Sequence, residues 1–307
     1  MMRRTVILGL LAALTAGAQG SIVNAVRSRI AQNDLAGAES LARAYQTRVG
    51  PKPDLAAAIS WLARAALDAK AFDRADAFAD EASKMASRFL MGAKLDDDPW
   101  LPTAEGAAIE VHARVLAARG EGSAAVEYLD GKAKEFAGTS IAERIHKNIN
   151  LISMERKPAP ALEVAQWLGP RPPSLSALRG KVVLLFFWAH WCGDCKAMIP
   201  AIARIRQQFA PKGLVVIGPT RLYGYAAGGK DAPPEQERAY IEQVRGNYYS
   251  ALADMPAPLS GANFVAYGAS TTPTLVLIDR GGVVRYYHPG AVDEGDLTSR
   301  IRALIGK

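Results

Sequence analysis

The chain has 307 residues, half of them apolar, and a formal charge of +7 at neutral pH. That is enough apolar material for two domains with separate cores, and beyond the amino terminus no stretch is apolar enough to span a bilayer. The basic excess lies in residues 158–307, scattered and interleaved with no aromatic stripe, which marks a solvated surface with a mild preference for acidic partners and excludes a nucleic-acid site.

Residues 1–18 read as a secretory signal. Arg3 and Arg4 precede an apolar run from Val6 to Leu14, and Ala16, Gly17 and Ala18 supply small residues for cleavage. The run is too short to cross a membrane; an uncleaved anchor is the alternative. The expected mature chain starts near Gln19, in an exported and oxidising compartment.

Residues 19–157 predict an all-α domain. Ala, Leu and Arg dominate, and helical periodicity shows in Ile22, Val23, Val26 and Ile30, in Leu41, Ala42 and Tyr45, and in Ile59, Leu62 and Ala66. Stops fall at Asn33-Asp34, Gly50 to Pro53, Asp96 to Pro99 and Gly120 to Gly122. Three segments look alike, starting at Asp34, Phe72 and Gly122, with small residues where paired helices must approach. They resemble degenerate tetratricopeptide-like helical hairpins, at irregular spacing. That resemblance implies a docking array for a protein partner; a helical spacer without a partner is the competing reading.

Lys157-Pro-Ala-Pro160 reads as a hinge, followed by a short strand within Ala161–Leu168 and a second proline-rich turn at Gly169–Pro173. Val182–Phe187 is apolar without alternation, as a strand buried on both faces should be. The only two cysteines, Cys192 and Cys195, follow it as Cys-x-x-Cys, and Met198, Ile199, Ile202, Ile205 and Phe209 then recur at helical spacing. Strand, cysteine pair, helix: this order puts Cys192 at a helix N-terminus, where unpaired N–H groups and the helix dipole favour a thiolate. A zinc site lacks ligands, haem attachment lacks a His after Cys195, and a loop this short gives a structural disulfide little to stabilise. A redox pair without metal or cofactor is the strong reading.

Gly213–Gly218 reads as a second buried strand. Pro219–Ala232 is a polar, aromatic, glycine-rich loop, either a lid or a packed excursion, and a helix is predicted from Pro233 to about Asn247. Leu275–Asp279, Arg280–Gly282 and Val283–His288 form a predicted antiparallel hairpin, and Leu297–Ile305 a closing helix. Residues 158–307 thus predict a mixed central sheet with helices on both faces.

Phe187-Trp-Ala-His-Trp-Cys-Gly-Asp-Cys-Lys196, Pro200 and Thr271-Thr-Pro-Thr-Leu-Val-Leu-Ile-Asp279 together resemble the thioredoxin superfamily, and Leu178-Arg-Gly-Lys-Val-Val-Leu-Leu185 resembles the entry of its TlpA/ResA-like periplasmic thiol-disulfide oxidoreductases. The resemblance covers roughly residues 158–307. It implies a thioredoxin-like α/β domain that reduces periplasmic protein disulfides, such as those of apocytochromes in cytochrome c maturation, fed by an electron donor the sequence does not identify. Cys192 is expected to attack and Cys195 to resolve. Pro273, after Thr272, resembles the superfamily's cis-proline facing the disulfide. Between the cysteines, Gly193-Asp194 is the tuning element, and the Asp194 carboxylate should oppose a thiolate and favour a reductant.

Two departures concern protons. The superfamily's acidic positions are occupied here by Phe186 and Met198, which leaves Asp194, His190 and Glu163 as candidates to accept the Cys195 proton. Trp191 is expected to shield the disulfide, Trp188 to be core and His288 structural. The rival of another class is an adaptor whose helical domain binds a partner. A peroxide-reducing site is discounted because Ala189 stands where such sites carry Thr.

Overall fold

A computed structural model describes residues 21–306, so the expected signal at residues 1–18 lies outside the described residues. The first half holds α1 (Ile22–Ala31), α2 (Leu35–Val49), α3 (Pro53–Asp68), α4 (Phe72–Leu90), α5 (Leu101–Ala118), α6 (Gly122–Glu135) and α7 (Ala142–Ser153). Their ends have local causes. Asp34 caps α2 by accepting the Gly37 N–H at 2.8 Å, and Pro53 opens α3, where its missing N–H costs nothing. α3 and α5 sit innermost, α3 against α1, α2, α4 and α5, and α5 against α3, α4, α6 and α7. Their buried faces are built largely from Ala56, Ala57, Ala63, Ala66, Ala104 and Ala107. Alanine adds little bulk, so the axes close up. The apolar count is therefore met by many small side chains in close contact.

The second half is an α/β unit. β1 (Trp167–Leu168) pairs antiparallel with β4 (Ala257–Pro258), apart from a four-stranded sheet of order β3 (Leu214–Ile217), β2 (Val182–Phe187), β5 (Thr274–Ile278) and β6 (Val284–Pro289). β2 runs parallel to β3 and antiparallel to β5. Around the sheets lie α8 (Gly193–Phe209), α9 (Pro234–Tyr248), α10 (Gly261–Ala266) and α11 (Glu294–Ile305). Alternation along β2 explains its unbroken apolar run. Val182, Leu184 and Phe186 enter the core shared with α8, α9 and α11, while Val183, Leu185 and Phe187 enter a second core with Phe264 and Tyr267. The mixed sheet with helices on both faces, and the helical half before it, are as the sequence predicted. The strand expected over Ala161–Leu168 shrinks to the two residues of β1.

The expected hinge at Lys157–Pro160 is tied down instead. The Arg156 N–H donates to the Val284 carbonyl at 2.8 Å, Val284 N–H to Lys157 at 2.9 Å, and Ala159 N–H to Gly282 at 3.0 Å. The segment covers the β6 edge, and Pro158, which has no N–H, sits where none is required. Met154, just past α7, is buried in the core with Val183, Leu185 and Phe187. Gly268 (φ 54°) brings its backbone so close to His146 and Lys147 that an added Cβ would lie 2.5 Å from the Lys147 nitrogen. A fragment starting at Met154 is expected to be more stable than one starting at Pro158, by about 2 kcal/mol or more for the lost Met burial. Urea midpoints compare the two; equal midpoints would mean the sheet needs neither Met154 nor Arg156.

Candidate active site

β2 delivers the chain to the site, and Trp188 fixes the turn that follows. Its indole Nε1 donates to the Gly218 carbonyl at 2.9 Å, its own carbonyl accepts from Thr220 Oγ1 at 2.9 Å, and its ring lies 4.5 Å from that of Tyr249. Trp188 is fully buried. Four residues on, the Cys192 N–H donates to the Ala189 carbonyl at 3.1 Å and the chain enters α8.

Cys192 is the N-cap of α8 and is disulfide-bonded to Cys195, with the Cα atoms 5.3 Å apart. The Cys192 Sγ accepts the Cys195 N–H at 3.0 Å. This donor and the helix N-terminus both favour negative charge on that sulfur. Cys192 is 3% exposed and Cys195 0%, so the attacking sulfur does not stand proud in the disulfide form. Trp191, just before the pair, is 49% exposed, its ring edge-on to Tyr223 at 5.5 Å.

β5 brings the second motif to the same end of the sheet. Thr274 pairs with Phe187, so Pro273 and Thr272 lie beside the turn that leads to Cys192. The Thr272–Pro273 peptide is cis. The Thr272 Oγ1 is buried and finds no partner among the described residues.

Gly193 and Asp194 are both exposed in the first turn of α8. The Asp194 carboxylate therefore acts through solvent, which screens it. Asp194→Asn is expected to shift the reduction potential by no more than about 10 mV. A larger upward shift would restore the tuning role read from the sequence. Glu163 is exposed as well; its carboxylate accepts from Ser260 Oγ and its N–H donates to Asn263 Oδ1 at 2.8 Å. Those bonds hold it at the start of α10. Phe186 and Met198 are core residues, and His288 stacks on Tyr286, as expected of a structural histidine.

His190 is 1% exposed and Glu237, from the first turn of α9, 0%. Its Nε2 lies 3.2 Å from Glu237 Oε1, and the Glu237 carboxylate also accepts the N–H groups of Tyr223 at 2.6 Å and Gly224 at 2.8 Å. Rings of Tyr223, Tyr225 and Tyr240 stand edge-on around the imidazole at 5.4–5.7 Å. Burial lowers the His190 pKa, and the Glu237 charge opposes that shift. The loop of residues 219–232 is thus packed onto the site. Arg221 extends it, lying over Tyr223 and Phe264 and pairing with Glu143 of α7. Sequence reasoning missed Glu237, which reads as one more polar residue of a charged helix.

Among the described residues no group of His, Cys, Asp and Glu could hold a metal ion, and no helix is long and apolar enough to cross a membrane. A family model described as Redoxin matches residues 154–305. The thiol:disulfide interchange protein DsbE of Xylella fastidiosa is 30% identical over 150 residues, covering 48% of this chain and 68% of that protein. Protein DipZ of Mycobacterium tuberculosis is 32% identical over 157 residues, 48% of this chain, so the match spans only a fifth of its length (20%). Among solved structures, a DsbE-type interchange protein from Chlorobium tepidum is 27% identical, with a TM-score of 0.39, covering 50% of this chain and 98% of that one.

Proposed function

We infer the activity from kinship and geometry together: the chain belongs to the thioredoxin-like thiol:disulfide interchange proteins, and its Cys192–Cys195 pair exchanges with disulfides of exported proteins. The observation that carries this reading is the position of that pair. It caps α8 beside the Thr272–Pro273 segment, with one sulfur accepting a helix N–H.

In the reduced chain the Cys192 thiolate attacks one sulfur of a substrate disulfide, and the other substrate sulfur leaves as a thiolate. Cys195, buried behind it, then attacks the Cys192 Sγ of the mixed disulfide. The second substrate thiol departs, and the chain is left with its disulfide closed. A thiol donor outside the chain resets it. Ala189 offers no hydroxyl near Cys192, so the peroxide reading of a redoxin finds no support in the site.

The direction we assign is reduction of substrate. The sequence argument placed the opposing charge on Asp194, which is exposed; Glu237 supplies a buried carboxylate behind the site instead. A buried anion disfavours a thiolate nearby and so makes the disulfide less oxidising. Equilibration with a glutathione or dithiothreitol buffer should give a potential below about −220 mV, the range of reducing members of this fold. A value near about −120 mV would mark an oxidant and reverse the assignment. The helical half serves in this reading as the docking unit for a partner, and the Arg221–Glu143 pair links it to the loop over the redox site.

A further inference from the structure

The His190–Glu237 pair is the one buried ionisable couple next to the cysteines among the described residues, and the exchange steps above do not use it. The Glu237 carboxylate accepts two backbone N–H groups, so its remaining bond, to His190 Nε2, is best made with the ring nitrogen as donor. The proton of the His190–Glu237 bond therefore sits on Nε2, and Nδ1 carries a free lone pair. That Nδ1 is buried and has no partner among the described residues. A buried acceptor left bare is costly unless some state of the protein fills it.

Resting on the redox reading above, we propose that His190, held by Glu237, takes up a proton when the Cys192–Cys195 disulfide is reduced. In the disulfide state the pair carries a single negative charge, neutral imidazole beside carboxylate. Reduction adds a thiolate at Cys192, two residues away and equally buried. Two anions in so dry a place repel strongly. Protonation of Nδ1 turns the ring into an imidazolium and returns the net charge to its former value.

The balance is complete. A dithiol donor gives two electrons and two protons and becomes a disulfide; Cys195 keeps one proton as a thiol, His190 takes the other, and Cys192 is left as thiolate. In the reverse direction, as the chain reduces a substrate disulfide, the Cys195 and His190 protons end on the two substrate thiols. His190 is a positioning residue for the charge of the couple and makes no bond to the substrate.

The groups facing His190 are Glu237 and Tyr240 of α9, Tyr223 and Tyr225 of the loop, and Lys196 of α8. Burial pushes the hydroxyls of Tyr223 and Tyr225 upward, so they stay neutral. Burial is the main cause that lowers the imidazole pKa in the disulfide state, and Lys196 adds to it. The new thiolate raises it. Between those two pKa values the reduced form binds one extra proton. Below the lower one His190 is charged in both states, and above the higher one neutral in both, so the extra uptake is confined to the window.

The test is the equilibrium constant of the full chain against a dithiothreitol buffer across about pH 5 to 8, where imidazole titrates. Dithiothreitol releases two protons with its two electrons over this range, so wild type, which takes up two, should hold a pH-independent constant within the window even where Cys192 is already a thiolate. His190→Gln and Glu237→Gln take up only one, so their constant should rise tenfold per pH unit there. A mere structural role would offset the constant equally at all pH values and leave the slope alone; that result overturns the proposal. Wild type can also be read without any variant, by the nitrogen shifts of His190: Nε2–H imidazole in the disulfide form and imidazolium in the reduced form. An unchanged neutral ring in both overturns it too. If no thiol–disulfide equilibrium is found at all, the redox reading itself falls, which is a distinct outcome.

Discussion

Cys192→Ser is expected to remove the reduction of insulin disulfides by the dithiothreitol-charged chain, by several orders of magnitude, because no other nucleophile replaces a thiolate in the exchange. The chain has two cysteines in all, so Cys195 alone would have to attack. It is 0% exposed, one helical turn inside α8. Serine at the N-cap also retains an oxygen that can accept the Cys195 N–H, as the sulfur does at 3.0 Å. The fold should survive, and the lost activity then reports chemistry. Circular dichroism and the turbidity rate of insulin reduction, read on the same sample, check both halves. Wild-type turnover by Cys192→Ser would mean that the order of attack is reversed.

The second large effect is on stability. Trp188→Ala is expected to cost about 4 kcal/mol, within the range for truncating a buried Trp. The indole is fully buried, donates to the Gly218 carbonyl and packs on Tyr249. Truncation leaves both a cavity and an unpaired carbonyl. Gly218 adds to the difficulty, because a Cβ there would lie 2.3 Å from the Met255 methyl, so the site has little freedom to collapse. Urea unfolding at constant slope measures the loss. A change under about 1 kcal/mol would mean that Trp188 is dispensable to the turn beside it. Phe187→Leu, one residue earlier, is a milder control, since it shortens an aromatic contact with Phe264 and Tyr267 without removing a hydrogen bond.

The fold was readable where pattern and burial coincide. The unbroken apolar run of Val182–Phe187 requires a strand covered on both faces, and β2 is the second strand of the sheet with helices on either side. The Cys-x-x-Cys spacing at the end of that strand places the first sulfur at the cap of α8. The small-residue faces of the helical half likewise announce close packing. Local chemistry misled at Lys157–Pro160. Four residues of proline-rich character suggested a free hinge, yet edge pairing with β6 depends on a strand over a hundred residues later, which no window of sequence contains.

The site divides in the same way. Both cysteines, Thr272 and Pro273 were named from motif alone, because each motif is local. Asp194 was chosen for nearness in sequence and Glu163 as a carboxylate within the expected strand of Ala161–Leu168; Asp194 is exposed, and Glu163 is held at the start of α10. Glu237 was invisible. Its burial arises only when residues 219–232 fold back and offer it the Tyr223 and Gly224 N–H groups. His190 was noticed for its pKa, but its bare Nδ1 follows from that same tertiary arrangement.

The most direct measurement is a trap. Cys195→Ser, reduced and mixed with a protein carrying one disulfide, cannot resolve the first exchange, so a mixed disulfide should accumulate. Mass spectrometry after thiol blocking and digestion should find the substrate joined to the peptide that contains Cys192. Absence of any adduct, with the chain folded and Cys192 titrating as a free thiol, would contradict the assignment of this pair as a protein disulfide-exchange centre.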